Sequence, residues 1–327
     1  MIRLFGSLAA LMLVMFVAAL VIGPAGVGPV ESLRALVLGD GGPMTLVMRE
    51  IRLPRAILAV MIGAALGLAG AAMQGYLRNP LADPGLIGVS GSAALGAVIS
   101  IQTGLAAVAM LALPLAALTG AVIGVLLVLT LAGPRGGALT LILAGIAISA
   151  LAGAMTSLVL NLSPNPFAAN EIVFWMMGSL ADRSMTHVWI ALPLILAGAL
   201  LLASLTRGLD ALTLGEDAAE AMGINLGRMR LMLIFGTAAV VGASTAVAGA
   251  IGFIGLVVPH ILRGFVGARP GRLLWASAMG GAVMLLAADI AVRVILPTRD
   301  LKLGVLTALV GAPLFLHLIY RTRRDAA

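Results

Sequence analysis

An all-α, polytopic membrane protein with about ten transmembrane helices is the fold class this sequence predicts, and three observations predict it. Of 327 residues, 61% are hydrophobic and 10% charged, with a mean hydropathy of +1.16, which leaves too little polar surface to solvate a water-soluble globule of this size. The apolar residues gather into ten stretches, and a hydrocarbon core of about 30 Å asks for roughly 20 of them per helix. None of the stretches alternates with period two, which excludes a transmembrane barrel.

The first stretch, 4–22, follows Arg3 as a signal peptide would, but it is long for one and no small-residue cleavage site follows, so a retained span is expected. The second, 56–76, comes directly after "MREIRLPR", which packs Arg49, Arg52 and Arg55 into eight residues of an otherwise uncharged neighbourhood. The third and eighth, 86–101 and 251–266, are short. The eighth contains Pro259, His260 and Arg263, and an arginine at mid-helix costs about 2.5–3.5 kcal/mol, so Arg263 is expected near the cytoplasmic surface. The fourth, fifth, sixth and seventh run 106–131, 139–160, 188–205 and 231–250. The ninth, 273–292, ends on Asp289 and Arg293, spaced i, i+4 so that each neutralises the other on one helical face. The tenth runs 303–320. The 41 glycines suit close helix packing in lipid, where small residues let backbones approach.

Ten spans put both chain ends on one side, and the basic residues choose which. With both ends in the cytoplasm, twelve basic residues lie inside: Arg3, Arg78, Arg135, Arg207, Arg228, Arg230, Arg263, Arg269, Arg272, Arg321, Arg323 and Arg324. Eight lie outside: Arg34, Arg49, Arg52, Arg55, Arg183, Arg293, Arg299 and Lys302. That balance favours ends inside and makes the outer arginines of "MREIRLPR" an exception to the rule. They fit two readings: interfacial arginines snorkelling to headgroups, or a docking patch for an acidic soluble partner.

Inside, the longest polar stretch, 206–230, contains "GEDAAEAMG". It reads as a short helix with Glu216 and Asp217 at its N-terminus and Gly223 as its stop, presenting a small Ala218/Ala219 face to a partner. "GAALGLAGAAMQG" and "GASTAVAGAIGFIG" echo one another before Pro80 and Pro259, the pattern of transporters built from repeats.

Much chemistry is excluded. There is no cysteine, the only lysine is Lys302 and no phosphate loop occurs, so the chain does not bind ATP in the P-loop manner. His187, His260 and His317 lie in different segments, so no metal-ligand spacing is present. Arginines scattered between apolar runs, without interleaved aromatics, exclude a nucleic-acid face. Asp289 is the single membrane carboxylate this reading finds, and it is paired. The chain looks like a passageway without its own engine, and it is not expected to be an enzyme.

Six blocks carry a family resemblance: "IRLPRAILAVMIGAALGLAGAAMQGYLRNPLADPGLIGVSGSAALGA", "LILAGIAISAL", "FWMMGSL", "LGEDAAEAMGINLGRMR", "AGAIGFIGLVVPHILRGFVG", and "LLAADIAVRVILP" through "LGVLTALVGAPLFLHLI". In these the sequence resembles the FecCD/BtuC-type permeases of ABC importers, which carry iron-siderophores, haem or cobalamin across bacterial inner membranes. The resemblance implies a type II ABC importer (BtuC-like) fold and a single transmembrane permease domain over 1–327, with a cytoplasmic coupling segment at about 206–230. It implies a homodimer in membrane lipid, two cytoplasmic ATPase subunits that bind ATP and Mg, a periplasmic substrate-binding protein, and no cofactor on this chain. It implies that Arg52, Arg55 and Arg293 dock the binding protein. It also implies that Leu214, Gly215, Asp217, Ala218, Ala219 and Gly223 form the coupling helix that seats on the ATPase.

For the pathway and its cytoplasmic gate the expectation is Gly137, Ala138 and Leu139 in "GGALT", with Ala147, Ser149 and Ser157 on the fifth span. The family's "ELPxG" is here Asp300-Leu301-Lys302-Leu303-Gly304, without the proline. Iron chelates rank ahead of cobalamin as cargo. An ion-coupled secondary transporter would need a titratable relay that the sequence lacks, and an intramembrane enzyme would need a buried nucleophile with its base.

Overall fold

A computed structural model of the chain describes residues 1–23, 28–39, 41–133, 136–296 and 301–325, the side chains of 318, 319 and 321–325 excepted. Arg135, Arg299 and Asp300, which the topology count and the altered last block invoke, lie outside the described residues, as do the side chains of Arg321, Arg323 and Arg324.

The described residues form helices and no strand. In chain order these are α1 (Ile2–Val21), α2 (Pro29–Val37), α3 (Pro43–Leu46), α4 (Leu53–Tyr76), α5 (Val89–Gln102), α6 (Leu105–Val108), α7 (Ala112–Ala132) and α8 (Ala138–Asn161). They continue as α9 (Pro166–Met176), α10 (Met185–Ser204), α11 (Thr206–Leu212), α12 (Glu216–Ala221), α13 (Leu226–Ala248), α14 (Ile254–Arg263), α15 (Pro270–Ile295) and α16 (Leu303–Asp325). Seven stretches among the described residues are long and apolar enough to cross a membrane: α1, Pro43–Tyr76, α7, α8, α10, α13 and α15. Shorter apolar helices at Val89–Gln102, Ile254–Val266 and Leu303–His317 supply the remaining three of the ten expected.

Two expected spans start later than their apolar runs. Gly88 takes a left-handed φ of 74°, which ends the 3-10 turn Pro84–Ile87 and restarts the chain as α5. Phe253, at φ 67°, does the same before α14, a conformation a bulky residue adopts only when its surroundings impose it. α2 and α9, each opened by a proline, were not expected as separate helices.

"MREIRLPR" is helical throughout. Pro54 has no N–H to give the preceding turn and its ring crowds the carbonyl four residues back, so Val47–Arg52 widens into a π-helical turn that joins α3 to α4.

The core is organised on α4 and α13, whose most apolar windows are 78% and 72% buried, against 28–33% for α7, α8, α10 and α15. Small residues decide which helices touch. A Cβ on Gly63 would overlap the Gly281 backbone, and one on Gly67 would overlap the Ser277 carbonyl, so α4 and α15 run antiparallel in backbone contact. α5 and α7 repeat the device, with Ser92 and Gly96 against Gly120 and Ala116.

Gly67→Leu is expected to separate α4 from α15 and lower stability by at least about 3 kcal/mol, beyond ordinary overpacking because backbone is what it meets. Gly6→Leu, on a part of α1 where nothing lies within 4 Å, is the control. Thermal unfolding of the detergent-solubilised protein measures both.

Candidate functional site

The 24 residues of α4 rise about 36 Å, enough to cross a hydrocarbon core, and polar groups collect at both of its ends. At the N-terminal end, Asp289 of α15 is fully buried between two arginines. Arg55 Nε donates to its Oδ1 at 2.7 Å, and Arg293 Nη2 donates to its Oδ2 at 2.8 Å. The i, i+4 pair read from the sequence is therefore present, and Arg55 joins it from α4.

Further donors of this cluster turn to helix ends. Arg52 Nη1 donates to the carbonyls of Leu20 and Val21 at 2.9 and 2.8 Å, and Arg293 Nη1 donates to Ala19 and Ile22, each at 2.8 Å. Arg49 does the same for α2, through Leu36 and Val37. The last carbonyls of α1 and α2 have no intrahelical partner, and they carry the negative end of the helix dipole. Guanidinium groups satisfy both. The cluster is thus a C-terminal cap for two helices with Asp289 as counter-charge, a role that the spacing of arginines alone did not disclose.

Of the three arginines expected to dock a partner, Arg52 is 5% exposed, while the side chains of Arg293 and Arg55 are 8% and 16% exposed. Arg55 is the one whose Nη groups make no hydrogen bond among the described residues.

The C-terminal end of α4 carries the second polar region. Arg263 Nη2 donates to Gln74 Oε1 at 2.9 Å, and Gln74 Nε2 reaches the Leu256 carbonyl of α14 at 3.2 Å, which places Arg263 at this end of α4. Arg78 stands 3.7 Å from Glu216, and the Asp210 carboxylate of α11 accepts the Gly271 N–H at the start of α15 at 2.8 Å. Arg78, Arg230 and Arg263 therefore share one end, and Arg49, Arg52, Arg55 and Arg293 the other, as the topology reading partitions them.

α12 forms as its sequence suggests. Gly215 precedes it at φ 105°, Glu216 and Asp217 occupy its first turn, and Gly223 stops it at φ 84° while the Ile224 N–H returns to the Ala219 carbonyl. One feature of the expected partner face is corrected: Ala219 is fully buried and seats α12 on the rest of the chain. Leu214, 70% exposed, together with exposed Asp217 and Met222, makes up the outward side.

The pathway candidates do not form a single face. α8 buries one stripe, through Leu141, Ala144, Gly145, Ile148, Ala152 and Thr156. Ala147 and Ser157 lie off it and are exposed, whereas Ser149 flanks it towards Gly91 of α5. Gly137 caps α8 without a side-chain bond, and Gly137 and Leu139 are exposed while Ala138 is half-buried.

Sequence reasoning missed two features. Asp83, in "RNPLADP", lines an inner cavity with Ser90, Ser244 and Thr245 beside the broken segment 249–253. Its carboxylate accepts the Gly85 N–H at 2.7 Å. A larger apolar cavity of about 630 Å³ lies between Met176, Met177, Phe253 and the α16 residues Gly304, Ala308 and Pro313. The short eighth stretch, already irregular in sequence, was the available signal for both.

Residues 11–321 match the model of the FecCD transport family. The chain is 39% identical over 279 residues to the hemin transport system permease protein HmuU of Yersinia pestis, covering 84% of each chain. It is 37% identical over 324 residues to the vitamin B12 import system permease protein BtuC of Citrobacter koseri, covering 99% of this chain and 95% of that one. Its fold superposes on a solved structure described as an inward-facing conformation of a metal-chelate type ABC transporter. The TM-score is 0.86 at 31% identity, over 98% of this chain and all of that one.

Removing the buried carboxylate tests the arginine cluster. Asp289→Asn leaves two adjacent buried guanidinium groups without their counter-charge and is expected to cost about 3–5 kcal/mol. Asp289→Asn combined with Arg55→Gln should recover part of that loss, read as the midpoint of thermal unfolding in detergent.

Proposed function

This chain belongs to the FecCD transport family, and from that premise we propose that it is the membrane-spanning permease subunit of an ATP-binding cassette importer for a bulky metal chelate. The observation that carries the reading is the placement of two surfaces at opposite ends of α4: an arginine cluster at one end, and at the other a short, glycine-bounded helix with an exposed leucine and aspartate. A permease driven from outside itself needs both, one for the protein that delivers cargo and one for the ATPase that supplies work.

In this reading the arginine end faces the periplasm and the α12 end the cytoplasm of a bacterial inner membrane, with both chain termini on the cytoplasmic side. Met1 supports this geometry: α1 has its C-terminus in the arginine cluster, so its start lies towards the α12 end. The chain acts as a homodimer with two ATPase subunits, which hold ATP and Mg, and with a periplasmic binding protein. It carries no cofactor and catalyses no reaction by itself.

Arg55, Arg52 and Arg293 contribute to docking of the binding protein in unequal ways. Arg55 has donors to spare, while Arg52 and Arg293 hold the end of α1 on which the docking surface is built. Leu214, Gly215, Asp217, Ala218 and Gly223 shape the coupling helix, and Ala219 anchors it. Gly137, Ala138 and Leu139 form the cytoplasmic gate. Ala147 and Ser157, on the free side of α8, and the methionine-lined cavity beside α16 border the pathway, with Ser149 in a supporting position.

A loose apolar wall of methionines and small residues suits a large chelate whose selection happens elsewhere. Haem and cobalamin are the cargoes in the names of the two relatives above, and a ferric siderophore is of the same chemical class. Alternating access follows when closure of the ATPases displaces α12 and rocks the packed helices.

Proteoliposomes containing this chain, its ATPase and its binding protein, offered haem, a ferric siderophore and cobalamin separately, are expected to accumulate one of them only with ATP. Uptake driven by an ion gradient without ATP overturns the reading. In the same system Arg55→Ala should weaken binding-protein docking about 30-fold or more, the loss of one close charge pair. Arg49→Ala, whose partner is the end of α2, should leave docking within about two-fold.

A further inference from the structure

Arg230, near the start of α13, is 7% exposed. Its Nη1 donates to the carbonyl of Gly136, in the segment that leads through Gly137 into α8. Its Nε and Nη2 are buried and have no partner among the described residues. Arg230 lines a cavity of about 290 Å³ together with Gly136, Gly137, Glu216 and Glu220. Glu216 leans on Arg78 at 3.7 Å, whereas Glu220 is exposed and makes no ion pair among the described residues. A buried guanidinium with two unmade donors and a free carboxylate thus line the same cavity. One belongs to the element that holds the start of α8, the other to the helix that meets the ATPase.

Leaving buried donors unsatisfied is costly, so a conformation that satisfies them is favoured wherever the backbone permits it. A carboxylate accepting Nε and Nη2 together is the geometry in which arginine binds best. We propose that Arg230 is the positioning residue that couples α12 to the gate: when α12 closes on the cavity, Glu220 takes Nε and Nη2, and the Gly136 carbonyl held by Nη1 moves with them. The same guanidinium thereby joins the ATPase-facing helix to the start of α8. Lysine cannot do this, because its single ammonium is a point charge without the rigid fork that spans two partners. This proposal rests on the importer reading above.

The test measures chelate transported per ATP hydrolysed by the full complex in proteoliposomes. Glu220→Gln and Arg230→Lys are each expected to lower that ratio about ten-fold while ATP hydrolysis stays within about two-fold, and the double variant should be no worse than either single one. Glu220 is exposed, so Glu220→Gln assembles even where an Arg230 variant does not. An unchanged ratio in Glu220→Gln overturns the proposal, and so do strictly multiplicative losses in the double variant, which would mean that the two side chains act separately. Failure of the importer reading looks different: the unaltered complex would show no ATP-dependent uptake of any chelate, and the proposal would fall with it.

Discussion

The backbones of α4 and α15 touch because no side chain stands between them at Gly63, Gly67 and Gly281, Gly67 meeting the Ser277 carbonyl, and the buried charges depend on that approach. In the antiparallel register Gly63 meets Gly281, and four residues on, Gly67 meets Ser277. Eight residues in the other direction the same register brings Arg55 to Asp289. A wider spacing would hold the carboxylate away from its second arginine. In lipid, where apolar side chains gain nothing by leaving their surroundings for each other, close backbone packing supplies the association. The ion pair follows from it, and then Arg293 and Arg52 are free to close the end of α1.

How much of this was legible in the sequence differs by scale. Ten apolar stretches became ten apolar helices, because in a bilayer every backbone group must be satisfied within the helix and hydropathy alone reports where that happens. The Asp289–Arg293 pair was legible for a similar reason: an i, i+4 spacing has one geometry on a helix. The direction of the arginines in "MREIRLPR" was not. Whether a guanidinium faces headgroups, a partner or a carbonyl depends on where α1 ends, which is fixed by tertiary contact and not by any residue near Arg52. Ala219 was misjudged on the same ground, since a small residue suits a buried seat and an exposed contact equally well. Asp83 escaped notice because it precedes Pro84 in what reads as an ordinary turn, and only the fold brings it beside the break at 249–253.

The echo between the halves has a physical counterpart. "GAALGLAGAAMQG" lies in α4 and "GASTAVAGAIGFIG" covers the end of α13 and the break after it, and these two helices are the most buried spans. Both are small-residue helices that others pack around, and each is followed by an interrupted segment before a shorter helix, α5 or α14. Interrupted backbone at membrane depth is tolerated where protein or a cavity covers it, and here the ends of both interruptions meet at the Asp83 cavity.

These features divide the molecule into parts that can and cannot deform. α4 and α15 are locked by backbone contact and by the ion pair at one end, and α14 is tied to α4 through Gln74 and Arg263 at the other. Sliding any of them by one turn would drive a Cα or a carbonyl into its neighbour, so they can move only as a body. α8 is held over less of its length: it rests on one stripe, in which Gly145 meets the Leu86 backbone closely, and it shows most of its remaining surface. Its start is attached to the rest of the chain through Gly136 and Arg230, next to α12. On the function proposed above, a push delivered at α12 reaches the start of α8 through this attachment, while the block of α4, α14 and α15 moves as one body.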